Sequence, residues 1–369
     1  MRLVHLTVSR QLSQGQLKQL RFEYDAAKDL KNVEWITLAY HNSSASQPFV
    51  HQTPFIFRWI FFRKLWCWVV AIKLSRSCDL VMMRHITFDP FTFVFAPLIK
   101  NRISVHHSKE VEELKLIRKG WKGKAASWLE KVSGRFSVSR TKMILGVTQE
   151  IAEYERDLRA PDKPIDIYPN GVDVEKIEIL QDKRLPNEVN AVFICGTFSA
   201  WHGLDKLVAA VDDGDVQDDV VSLTIHLIGK LSYCQMSEIQ ATEARRKIFK
   251  IHGSLSEIEY RPIMEKCDVG IASLAMERQS LLEGSTLKVR EMLAMGMPIY
   301  SGHEDIALVK EEPFVNIVQN VCLKDILDFG LKSKSVTREK IRRFSRKRIS
   351  KLAAMESLIS NELLWIKKI

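Results

Sequence analysis

The chain has 369 residues, 46% hydrophobic and 27% charged, with 16 glycines and 11 prolines; these proportions exclude collagen-like and intrinsically disordered chains. Its length exceeds the roughly 250 to 300 residues over which one core usually extends, so two domains are expected. Lys+Arg 55 against Asp+Glu 45 leaves a net charge of +10, which favours an anionic partner: nucleic acid, acidic lipid or a phosphorylated ligand.

Strand-like RLVHLTV at 2–8 opens the chain and lacks the apolar core and small-residue cleavage site of a secretory leader. A polar turn with Gly15, a helical pattern through Leu17, Leu20, Tyr24, Ala27 and Leu30, and the apolar run VEWITLAY at 33–40 follow. Strand, loop, helix, strand is the opening of a doubly wound parallel sheet. The segment PFIFRWIFFRKLWCWVVAIKL at 54–74 is interrupted by Arg58, Arg63, Lys64 and Lys73, too often for an ordinary membrane span, and reads as interfacial. DLVMMRH at 79–85 and NRISVHH at 101–107 are strand-like, with TFDPFTFVFAPLI between them as a helix or covering segment. SKEVEELKLI at 108–117 restores a helical period, and SRTKMILGVT at 139–148 is a strand whose Thr148 is placed to cap the helix QEIAEYERDL.

Pro161, Pro164 and Pro169 then fall within nine residues, too many for an uninterrupted helix or central strand. The expected division is a domain over 1–160, a junction over 161–187, a second domain over 188–330 and a basic helical tail over 331–369. In the second domain EVNAVFICGTF at 188–198 is a strand, HGLDKLVAAVDD at 202–213 a helix, VSLTIHLIG at 221–229 a strand and EIQATEARRKIF at 238–249 a helix. KIHGSL, YRPIMEKCDVGIASL and TLKVREMLAMGMPIYS repeat the cycle. The fold class is therefore α/β, two Rossmann-like doubly wound domains facing each other across a cleft, with ligands outside the carboxyl ends of the strands. The tail, KSKSVTREKIRRFSRKRISK at 332–351, holds ten Lys or Arg against Glu339 alone, and its Val336, Ile341, Phe344 and Ile349 form a helical stripe opposite a face that is either solvated or set against lipid. Six cysteines, Cys67, Cys78, Cys195, Cys234, Cys267 and Cys322, show no CxxC spacing, which fits buried thiols in a reducing compartment better than a zinc site or disulfide frame.

The sharpest local signal is EGSTLKVREMLAMGMP at 283–298. Gly284, Ser285 and Thr286 make a small polar loop before a helix, so the amides at its start, Leu287 included, offer an anion site. Lys288 in the first turn adds a point charge. Glu283 and Glu291 flank that site; carboxylates beside a diphosphate are best used to accept hydrogen bonds from neutral hydroxyls. A nucleotide sugar carries both, with Glu283 on sugar hydroxyls and Glu291 on the ribose diol. The competing reading is a capped surface helix in which Glu291 pairs with Lys288.

With these residues in view, the chain resembles the donor half of a GT-B glycosyltransferase, in particular the large retaining group called family four. The two acids with the AMGMP turn at 294–298, YPNGVD at 168–173, GTFSAWHGLDKLVAAV at 196–211 and CDVGIASL at 267–274 carry the resemblance, which covers roughly 145–310 well and the N-terminal half by pattern only. It implies the GT-B fold, a nucleoside diphosphate sugar as donor substrate, retention at the anomeric carbon and no required metal. Members often hold the diphosphate with an Arg and a Lys in the first donor loop, where this chain has Thr197 and His202; Trp201 beside them either lines the cleft or packs in the core.

In the N-terminal half the resemblance implies an active-site histidine at the end of SVHHSKEVEEL. Either His106 or His107 fills that place, and strand alternation turns them to opposite faces; His107 is nearer the strand exit. Arg84 is a candidate acceptor ligand or a surface residue, and Gly15 allows close backbone approach to the donor. The implied reaction is sugar transfer to an acceptor hydroxyl, catalysed by positioning and electrostatics. Aromatic residues among five basic ones at 54–76, and Trp121 and Trp128 among eight basic ones at 118–142, point to a lipid-linked saccharide acceptor and peripheral attachment at the cytoplasmic face of an inner membrane, in capsule, exopolysaccharide or lipopolysaccharide assembly. A non-catalytic GT-B-like interaction protein is the alternative; a nucleic-acid binder is disfavoured because no zinc-finger, KH or RNP pattern occurs.

Overall fold

The computed structural model describes residues 1–43, 47–117, 120–212 and 222–361. The chain divides into two compact units, Met1–Asp173 with the stretch from Ser350 onward, and Val174–Ile349.

In the first unit seven strands pair in parallel, β1 (Arg2–Val8), β2 (Glu34–His41), β3 (Val50–Gln52), β4 (Leu80–Arg84), β5 (Arg102–His106), β6 (Met143–Gly146) and β7 (Ile165–Ile167), in the order β3-β2-β1-β4-β5-β6-β7. Alternation decides what each face buries. Leu3, Leu80 and Met82 join one core, and Val4, Leu6, Val81 and Met83 join the other. Both faces are covered, so these strands read as continuous apolar runs. The helix Lys351–Ser360 closes the first core with Met355 and Leu358, and the helix Ile60–Ser75 closes the second with Cys67, Trp68, Val70 and Ala71.

The expected interfacial segment is thus divided. The second half of its helix is core, while Phe55, Ile56, Trp59, Phe61 and Phe62 ahead of it and in its first turn are exposed. Of the second basic stretch, 118 and 119 lie outside the described residues; most of the rest forms the helix Trp121–Val138, whose one acid, Glu130, is buried. The proline-rich stretch holds β7, an edge strand, where prolines are tolerated. Thr148 caps its helix as expected, accepting from the Ile151 amide at 3.2 Å.

The second unit has six parallel strands, β8 (Glu188–Thr197), β9 (Ser222–Lys230), β10 (Phe249–Gly253), β11 (Val269–Ile271), β12 (Ile299–Ser301) and β13 (Val315–Ile317), ordered β10-β9-β8-β11-β12-β13. Val189, Ala191, Phe193 and Cys195 on alternate positions of β8 pack against Leu204, Leu207, Val208 and Val211 of the next helix. The stretch expected as a tail is split between the units. Its helix Arg338–Ile349 lies in the second, where Arg338 donates to the Glu265 and Cys267 carbonyls and Arg342 to the Val174 and Ile177 carbonyls. Several of its cations therefore bind this chain's own backbone, with Val336, Ile341 and Ile349 buried and Phe344 exposed. Residues 362–369 lie outside the described residues. No helix among the described residues is long and apolar enough to cross a membrane.

Candidate functional site

Each sheet reverses its winding once, between β1 and β4 in the first unit and between β8 and β11 in the second. Such a reversal opens a crevice outside the strands' carboxyl ends. In the second unit the loop after β8 carries Thr197, Trp201 and His202, and the chain beyond β11 leads to the loop before the helix Leu287–Ala294.

That loop is pinned on both sides of Glu283. The Gly284 amide donates to the Glu304 carbonyl at 2.7 Å, and the Glu304 amide to the Leu282 carbonyl at 3.0 Å. Gly284 and Ser285 are buried, whereas Glu283, Thr286, Leu287, Lys288 and Glu291 are half-buried. Thr286 stands at the N-cap without a side-chain capping bond, so its hydroxyl leaves the first-turn amides at the positive end of the helix uncapped. The helix is held from behind by Arg290. Its guanidinium makes a bidentate pair with Asp305 at 2.7 and 2.8 Å and donates to the Thr286 carbonyl at 3.1 Å, all in the core.

Lys288 reaches across to the β8 loop. Its charge partly offsets the upward push of burial on the Cys195 thiol, and, with burial as the larger cause, it pushes the His202 imidazole down to about 4. His202 Nδ1 accepts the Ser199 amide at 2.8 Å, which leaves the proton on Nε2, so this neutral ring presents an N–H donor. Thr197 is exposed at the strand end, and Trp201 is 38% exposed. Thus Lys288, His202 and the helix amides meet in one unit as an anion-favouring surface, with Glu283 and Glu291 beside it.

In the first unit β5 ends at His106, and His107 is the first residue beyond it. His106 is enclosed: Nδ1 lies 3.0 Å from Glu110, Nε2 lies 2.8 Å from Ser104 Oγ, and the ring stacks on His85 at 4.8 Å. His107 is half-buried among Arg84, His5 and Lys351. Burial, reinforced for His107 by Arg84 and Lys351, holds both imidazoles well below their ordinary range. Arg84 is half-buried rather than a surface residue, with Glu110 and Glu113 offsetting the cost of its burial. Gly15 is exposed in the first turn of the helix Gln14–Ala26, with open space where a Cβ would lie.

His106, Glu110 and Glu155 have ligand atoms within 4.8 Å of one another, a donor set suited to a divalent cation. Arg159 already supplies positive charge there, 2.5 Å from Glu155, 2.7 Å from Glu130 and 3.5 Å from Glu110. The residues therefore fit a closed ion-pair network better than a metal site. Sequence reading missed this network and also His303. His303 lies beneath Gly284, its Nδ1 2.9 Å from the Ser273 carbonyl and its Nε2 buried without a hydrogen-bond partner. Single histidines and arginines on apolar runs carry no spacing signal that would have exposed either feature.

No protein-family model matches the chain. Over 155 residues it is 21% identical to an uncharacterized glycosyltransferase of Methanocaldococcus jannaschii, a match spanning 40% of this chain and 40% of that relative's length. Two doubly wound parallel-sheet units define the GT-B scaffold, and solved structures share it along their whole length. The lipopolysaccharide outer core galactosyltransferase WaaB matches at TM-score 0.61 and 10% identity, over 99% of both chains. A sucrose-phosphate synthase from Thermosynechococcus elongatus matches at 0.63 and 13%, over 99% of this chain and 100% of that one. Anabaena HepE, solved in complex with UDP-glucose, matches at 0.57 and 14%, over 98% and 100%.

Proposed function

We propose that this chain is a retaining glycosyltransferase that moves a sugar from a nucleoside diphosphate sugar to a saccharide acceptor, lipid-linked, in bacterial surface polysaccharide assembly. The observation that carries the reading is the open N-terminus of the helix Leu287–Ala294 with Lys288 and the His202 Nε2–H beside it and Glu283 and Glu291 on its flanks. HepE binds UDP-glucose on the same scaffold.

In this reading the helix amides, Lys288 and His202 receive the diphosphate and stabilise the charge that grows on it as the glycosidic bond breaks. Glu291 accepts from the ribose hydroxyls and Glu283 from the sugar, as a clamp rather than a nucleophile. Thr197 and Ser285 are assigned to the phosphates. By the resemblance, Gly15, His107 and Arg84 of the first unit are assigned to the transferred sugar and the acceptor. With attack on the face the nucleotide leaves from, the departing phosphate takes the acceptor's proton. No metal is required, since the cations are protein groups.

The apolar surface of the first unit supports an acceptor at the cytoplasmic face of a membrane. Phe55, Trp59, Phe61 and Phe62, and Trp121, Trp128, Leu129 and Val132 on the helix Trp121–Val138, are exposed among Lys and Arg and no exposed acid of those segments. Aromatic rings with cationic neighbours suit an anionic headgroup boundary.

A second reading, a GT-B-like protein that binds without catalysing, is favoured by Thr197 and His202 standing where the resemblance implies a basic pair. Titration with UDP and GDP, followed by a screen of donor sugars against membranes read by product mass, separates them. Nucleotide binding with sugar-dependent product supports the transferase; binding with no product from any donor supports the second reading.

A further inference from the structure

At the opposite end of the first sheet from Arg84 and His106, the amino ends of β4 to β7 surround a cavity of about 770 Å³. Five-residue strands separate it from the carboxyl ends by about 13 Å, so it is not part of the site above. Its floor is apolar, made by the buried Leu80 and Ile99, and its rim carries Lys100, Arg140, Lys142 and Lys163. One acid, Asp79, completes the lining, and its Oδ2 already accepts the Arg2 amide at 2.7 Å.

The rim is built rather than loose. Arg140 lies 3.4 Å over the Phe136 ring and donates through Nη1 to the Phe136 carbonyl at 3.0 Å. Asn101 fixes the adjoining wall by donating to the Cys78 carbonyl at 2.8 Å. Leu98, between the lining residues Pro97 and Ile99 and next but one to Lys100, is 60% exposed, which adds an apolar side chain next to the lining.

We propose that this cavity is a second binding site, for a phosphate ester carried on an apolar body, with the phosphate at Lys100 and Arg140 and the apolar portion along Leu98. Guanidinium and ammonium groups converge on phosphate by charge-assisted hydrogen bonds. The volume suits a small headgroup rather than a polymer. The inference stands independently of the donor site.

The test titrates the full chain with monomeric dihexanoyl phosphatidylglycerol and, separately, with glycerol phosphate, by calorimetry. The variants are Lys100→Glu/Arg140→Glu, at two exposed positions, and Leu98→Asp. The thermal melt and circular dichroism serve as controls for folding. A tenfold or greater loss of lipid affinity in the double variant, with Leu98→Asp weakening the lipid but not glycerol phosphate, supports the site with a lipid as its source. Equal binding of both probes by wild type, lost in the double variant, supports the site with a soluble phosphate ester. Binding of neither probe, or affinities unchanged by charge reversal, overturns it.

Discussion

Gly284 rests so closely on the imidazole of His303 that a Cβ built on it would lie 2.4 Å from Cδ2 and 2.6 Å from Nε2. Both residues are buried, and His303 is fixed by the Ser273 carbonyl, so neither has room to yield. Gly284→Ala must therefore move the loop that carries Glu283. Overpacking of this kind costs about 1–3 kcal/mol. The expected result is a turnover at least tenfold lower with a small change in melting temperature, partly recovered in Gly284→Ala/His303→Ala. Steady-state kinetics and thermal melts of the three variants check it.

The Arg290–Asp305 pair is fully buried and bidentate. Arg290→Met strands a carboxylate in the core, which costs about 3–5 kcal/mol. Replacing both, as Arg290→Met/Asp305→Leu, is expected to recover most of the loss. Urea unfolding of the two variants against wild type decides; equal stability of the single variant would show that the pair does not hold the helix.

Glu283 and Glu291 are assigned different tasks, and kinetics separates them. Glu291→Ala is expected to weaken UDP or GDP binding about tenfold. Glu283→Ala is expected to depress turnover with a smaller effect on nucleotide affinity. Calorimetry with the free nucleotide and initial rates with the donor give both numbers, and circular dichroism confirms that each variant is folded.

The buried network of the first unit has a pH signature. Burial and the neighbouring Glu110 push Glu155 up to about 8 from an ordinary value of 4.5. The folded state then holds a proton that the unfolded state has released, so this stability is full at low pH and is lost as pH rises through the folded value. Below 6.5 the effect is opposed by His106 and His107, whose depressed values make folding release protons there. Against the upward push of burial, His85 and Arg159 hold Glu130 at about 2, so its contribution is lost between pH 4.5 and 2. The clean window is pH 6.5 to 8, where about 2 kcal/mol should disappear and Glu155→Gln should flatten the slope. Denaturant unfolding across that window measures it.

The exposed aromatic surface yields a fifth expectation. Phe61→Ser/Phe62→Ser and Trp128→Ser alter side chains that are at least half exposed, so melting should hardly change. Flotation with phosphatidylglycerol vesicles at moderate salt should fall several-fold in both variants. Wild type that fails to float at all removes the membrane part of the functional reading.

Much of the scaffold was legible because parallel strands buried on both faces leave continuous apolar runs, as in RLVHLTV and DLVMMRH, and because Thr148 and the three prolines punctuate the chain between them. The acidic loop and its helix were legible from residue type at fixed spacing. What sequence could not provide was partnership at long range. Spacing alone allowed a Glu291–Lys288 pair as the competing reading, whereas the charge of Lys288 acts on Cys195 and His202, and the buried pair on that helix is Arg290 with Asp305. The basic tail shows the same limit: Arg338 and Arg342 read as surface charge until the carbonyls they bind are in view. Charge in a sequence does not say whether water or backbone will solvate it.

The helix Lys351–Ser360 seals a core otherwise made from the first 173 residues. Lys351 lies 3.5 Å over the Tyr168 ring and 3.8 Å from Glu23. During synthesis, which proceeds from the amino end, the first unit must therefore wait for residues 351–360 to emerge, with Met82 and Tyr168 uncovered in the interval. A premature stop near residue 345 would injure the first unit, although the residues lost lie beyond the second.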